Sequence, residues 1–135
     1  MEGHWALGIG YWFFMAKSFE DLRVYRAAEE LADSVWGIVS RWKPLAQDTV
    51  GKQLIRAADS IGANIAEGHG RKTYADNKRL VSIARGSLYE TRHFLRRAHK
   101  RGLLSESEVE TLRDIVEALP RALNAYLNSI GRDGE

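Results

Sequence analysis

The stretch Gln53-Leu-Ile-Arg-Ala-Ala-Asp-Ser-Ile-Gly-Ala-Asn-Ile-Ala-Glu-Gly68 reads as a helix with two distinct faces. With Val50 just before it, the residues Leu54, Ala57, Ala58, Ile61 and Ile65 recur at steps of three and four. That spacing places them on one side of an α-helix. Gln53, Arg56, Ser60, Asn64 and Glu67 step in the same way beside them, so a polar row borders a narrow apolar face. Ala57, Gly62, Ala63 and Ala66 surround the row and are small enough to admit a second helix closely. Such a row reads as an interface between subunits or as an internal hydrogen-bond network, with an exposed, unused face as the plainer alternative. The spacing predicts a helix over Thr49–Glu67, with Asp48 as its N-cap. Gly68 and Gly70 are expected to stop it by taking the left-handed conformation.

Outward from this segment the same period recurs three times. Upstream, Leu22, Tyr25, Ala28, Ala32, Val35, Val39 and Trp42 form one apolar stripe, predicting a helix from Phe19 to Trp42. Ser18 and Asp21 have the spacing of a capping box, and Pro44 is read as the stop. Downstream, Thr73 and Asp76 mark a third helix, reaching Arg101 and closed by Gly102. Ser105 and Glu108 cap a fourth, which reaches Ile130 with Pro120 inside it as an expected kink. No segment alternates like a strand. The expected fold is all-α, an antiparallel up-down four-helix bundle over residues 18–131, with residues 132–135 as a C-terminal tail.

The opening stretch Met1–Phe14, MEGHWALGIGYWFF, differs from everything after it. Its apolar part is shorter than the ~20 residues that span a bilayer. It also lacks a basic leader and a small-residue cleavage site, which argues against a signal peptide. Residues 1–17 are read as a tail or a misassigned start, since Met15 opens a conventional beginning. A segment docking on a neighbouring subunit is the alternative. There is no cysteine, which excludes disulfides, thiolate zinc sites and a cysteine nucleophile and fits a reducing, cytoplasmic compartment.

No catalytic constellation emerges, and the chain is read as non-enzymatic, without cofactor or metal. His4, His69, His93 and His99 match no zinc-binding motif. Glu90 and His93 have the Glu-x-x-His spacing of di-iron bundles, but the pair occurs once and has no partner carboxylates on core faces. Gly68–Thr73, GHGRKT, superficially resembles a phosphate loop, yet Arg71 stands where a Walker loop needs glycine and a helix precedes it instead of a strand. Arg71, Lys72 and the amides of a helix start could still hold an anion, although a glycine turn between helices needs no ligand.

Charge is unevenly placed. Ten of the 20 basic residues lie between Arg71 and Arg101, against two acidic ones, whereas the segment from Ser105 onward is net negative. On a helical wheel Lys78, Arg85, Arg92, Arg96 and Lys100 fall within about 40° of one line, with Tyr89 inside the stripe. A basic line with an aromatic in it suits a nucleic-acid backbone. Pairing with the acidic fourth helix, in the same or a neighbouring subunit, and simple solvation are the competing readings.

The Gln53–Gly68 string, followed by Arg71 and then by Ile83-Ala-Arg-Gly-Ser-Leu-Tyr-Glu90, resembles the bacterial four-helix-bundle proteins encoded in intervening sequences of 23S rRNA genes. Ser18-Phe-Glu-Asp-Leu22 with Tyr25 is similar to that family's opening, and the resemblance spans Ser18 to Ile130. It implies a homopentameric ring. It also implies kinship with the accessory protein of diversity-generating retroelements, a basic barrel that binds nucleic acid and a reverse transcriptase. The expected function is a non-enzymatic homo-oligomer that binds RNA through the third helix at Arg71, Lys72, Lys78, Arg85, Tyr89, Arg92, Arg96 and Lys100. Gln53, Arg56, Ser60, Asn64 and Glu67 are the expected subunit interface. The alternative is a protein–protein adaptor, with a reverse transcriptase as partner and no nucleic-acid role.

Overall fold

A computed structural model describes residues 18–132. Four long helices make up most of the described residues: α1 (Arg23–Val39), α2 (Lys52–His69), α3 (Tyr74–Lys100) and α4 (Glu106–Ser129). No strand occurs among the described residues. The expectation for residues 1–17 lies outside them, as does most of the expected C-terminal tail.

The core draws on all four helices. Leu31, Leu54, Ile61, Ile65, Leu88, Leu119 and Leu123 are almost completely buried. Each such side chain contributes on the order of 1.5–3 kcal/mol by leaving water. α2 packs most extensively against α3 and next against α1, while α4 leans on α1 more than on α3. The result is a four-helix bundle in which α2–α3 is the tight pair.

Glycine makes that pair possible. A Cβ on Gly68 would lie 3.2 Å from the carbonyl oxygen of Asn77 and 3.2 Å from Leu80 Cβ. Gly68 is therefore a contact point inside α2 and not its stop. Gly70 caps the helix with φ −84°, in the ordinary right-handed region, so the expected left-handed closure does not occur there. It does occur at Gly102, whose φ is +73°.

Two helix starts differ from expectation. Ser18 makes no side-chain cap; Phe19–Asp21 form a single 3-10 turn, and α1 begins at Arg23 after an extended Leu22. Pro44 does not end α1, which stops at Val39, but begins the next helical run. Proline suits that first position because its missing N–H has no partner there anyway. Residues Pro44–Ala46 lead into a π-turn, Gln47–Gly51, and directly on into α2, so Asp48 lies inside the run and is not its N-cap. Gln47 Nε2 donates to the Val39 and Ser40 carbonyls at 3.1 and 3.2 Å, which satisfies the orphaned end of α1. Pro120 lies within α4, which continues through it as one helix.

The capped starts at Thr73 and Ser105 form as read. Thr73 Oγ1 accepts from the Asp76 amide at 3.1 Å. At Ser105 the box is reciprocal: the Glu108 amide donates to Ser105 Oγ, and the Ser105 amide donates to Glu108 Oε1 at 2.8 Å.

Candidate nucleic-acid interface

α3 is amphipathic over its whole length. Leu80, Ala84, Ser87, Leu88, Thr91, Leu95 and Ala98 are buried, and Lys78, Arg85, Tyr89, Arg92, Arg96 and Lys100 are all exposed. None of those five cations forms an ion pair among the described residues. Tyr89 is 46% exposed. The guanidinium carbons of Arg85 and Arg92 lie 5.3 and 5.2 Å from its ring centroid, within cation–π range. One turn behind and one ahead of Tyr89, these two arginines flank its ring and make it part of a cationic ridge.

The other expected residues divide. Lys72 is exposed beside the start of α3. Arg71 is drawn away from the stripe, since its guanidinium pairs with Glu67 on the last turn of α2. No ion pair joins α3 to α4 among the described residues, and Arg113 of α4 pairs with Glu110 one turn back. Between the two helices lies a groove of about 290 Å³ lined by Arg92, Leu95, Arg96, His99 and Val116, among others.

The polar row of α2 is also split. Ser60 Oγ lies 2.8 Å from Ser87 Oγ of α3, and Asn64 Nδ2 donates to the Ser60 carbonyl at 2.8 Å. These two are half-buried and belong to a hydrogen-bond network within the chain. Gln53, Arg56 and Glu67 remain exposed.

Sequence reasoning missed a third feature, an open groove between α1 and α2. It holds about 340 Å³, has a floor of Ala28, Ala58 and Gly62, and carries Glu29 and Asp33 on one wall and Asp59 on the other. None of these carboxylates forms an ion pair among the described residues. Burial raises the pKa of Asp59 above the usual carboxylate range, and the nearby Asp33 charge adds to it. Tyr25 donates to Glu29 at 3.0 Å; burial first, then that bond and the surrounding carboxylates, push its phenol up to about 12. The signal was present as alanines on facing stripes, but only packing shows which acids they bring together.

A family model described as 23S rRNA-intervening sequence protein matches residues 20–125. The chain belongs to that family. The match begins in the 3-10 turn before α1 and ends inside α4, so it covers α1, α2, most of α4 and all of the α3 ridge. No curated protein is similar enough to match the chain. Among the described residues no helix is long and apolar enough to cross a membrane, and no three His, Cys, Asp or Glu side chains converge as metal ligands. In this member of the 23S rRNA-intervening sequence protein family, the exposed cations of α3 and the carboxylates of the α1–α2 groove both lie within the matched residues.

Proposed function

We propose that this chain is a non-catalytic, RNA-binding member of its family, built as an up-and-down bundle and acting in the cytoplasm as a homo-oligomer. The resemblance implies five copies. The observation that carries the reading is the unneutralised ridge of α3: five cations on one line without an ion-pair partner among the described residues. From Lys78 to Lys100 the line runs about 33 Å at ~1.5 Å per residue, long enough to follow several phosphates. Tyr89 adds an exposed ring on which an unpaired base can stack, which favours single-stranded over duplex RNA.

The test is a titration of labelled single-stranded RNA between about 50 and 200 mM salt. Replacing Arg85, Arg92 and Arg96 by Gln keeps helix propensity and removes three cations. The slope of log affinity against log salt should become shallower by about 2, at ~0.7 per phosphate contact on a single strand. Absence of binding by the wild type at low salt would end this reading.

A second reading has one observation in its favour. Trp36 is 62% and Leu45 79% exposed, apolar surface that a protein partner would cover. On that reading the chain is an adaptor, with a reverse transcriptase as the partner the resemblance implies. Weakened co-purification of a partner by Trp36→Ala, with RNA affinity unchanged, would favour it.

A further inference from the structure

The ridge of α3 and the groove of α1–α2 share no residue, yet each has what the other lacks. The ridge projects one aromatic ring between two guanidiniums, both without carboxylate partners among the described residues. The groove holds about 340 Å³ between small floor residues and the aromatic rings of Phe19 and Tyr25, with carboxylates on both walls that have no cationic partner among the described residues. Arg85 and Arg92 are seven residues apart, about 10 Å along the helix, and flank Tyr89 on either side. Glu29 and Asp33 are one turn apart on α1 and Asp59 faces them from α2, so carboxylates stand on both walls of the groove.

We propose that the α1–α2 groove receives the Tyr89 ridge of a second copy of this chain. Tyr89 enters the groove beside Tyr25, whose own ring covers Gly62, and Arg85 and Arg92 pair with the carboxylates of the walls. Because one copy can offer its ridge while its own groove accepts another, the contact is heterologous and propagates until it closes on itself. Docking also relieves the charge repulsion between Asp33 and Asp59. The contact stands whether or not RNA uses the same ridge.

Two variants test it, each measured without RNA by sedimentation. The groove variant is Asp33→Lys with Asp59→Lys; the ridge variant is Arg85→Gln with Tyr89→Ala and Arg92→Gln. Helical circular dichroism monitors folding, and Asp33→Asn with Asp59→Asn is the milder groove variant should the lysines disturb it. The wild type should exceed the 15.3 kDa of one chain, and each variant should run at that mass. An equimolar mixture should give a species of about twice the single mass and nothing larger, since it holds one intact ridge and one intact groove per pair. A monomeric wild type, a variant that keeps the wild-type mass, or a mixture that stays monomeric overturns the proposal.

Discussion

At Gly51 a Cβ would lie 2.7 Å from Val39 Cγ1 and 2.9 Å from the Ala46 carbonyl oxygen, whereas at Gly86 nothing lies within 4 Å. Both glycines have ordinary helical backbone, so the space around them decides the sign of a substitution. Gly86→Ala should stabilise the fold by about 0.4–1 kcal/mol, through the narrower unfolded ensemble. Gly51→Ala forces the π-turn away from α1 and should destabilise by about 1–3 kcal/mol. Thermal unfolding of the two variants reads both signs. Tyr25 gives a second test. Its phenol is held up to about 12, so the folded state keeps a proton that the unfolded chain releases near pH 10. The stability this contributes is complete below pH ~10 and is lost as pH rises toward 12. Tyr25→Phe, which cannot ionise, should show a flatter alkaline decline in denaturant midpoint than the wild type; identical profiles would refute the assignment.

Among the elements, the box at Ser105 carries the clearest prediction. The Ser105 amide, and after it the Arg41 guanidinium at 3.1 Å, hold the Glu108 carboxyl below its usual range. A depressed carboxyl contributes stability above its unfolded pKa and loses it as pH falls through the folded one. Glu108→Ala should therefore cost about 0.3–1.5 kcal/mol at neutral pH, and the difference from wild type should shrink in acid. These caps were legible because each is a local pattern of a side chain and a nearby amide. Pro44 was misread because proline serves equally to end one helix and to open the next, and the choice lies in tertiary contacts. Gly68 was misread for a related reason: its role is contact with Asn77 and Leu80 across two helices, which no local pattern encodes. Ser18 and Asp21 have a capping spacing but fall in a 3-10 turn, and α1 starts without a side-chain cap. On α3, every residue placed on the basic line by the wheel is exposed, since a long uninterrupted helix carries its period faithfully. The acids of the α1–α2 groove come from separate helices and could not be brought together by any single period.

On the scale of the whole molecule, the two proposed uses of α3 are linked by competition. Arg85 and Arg92 cannot face the carboxylates of a neighbouring groove and the phosphates of RNA at the same time. If self-docking occupies the ridge, only the undocked fraction is competent for RNA, and apparent affinity falls by that fraction. The variant Asp33→Asn with Asp59→Asn leaves every ridge residue intact and removes only the competing acids. It should bind an oligonucleotide of about eight nucleotides, roughly one binding site, more tightly than the wild type does. The gain should grow with protein concentration, because wild-type self-docking grows with it and the variant's does not. In the same titration, sedimentation should show wild-type assemblies losing mass as the oligonucleotide saturates them. Equal affinity of wild type and variant at every protein concentration, with wild-type mass unchanged at saturation, would show that the ridge is not shared and that RNA and the neighbouring copy occupy separate surfaces.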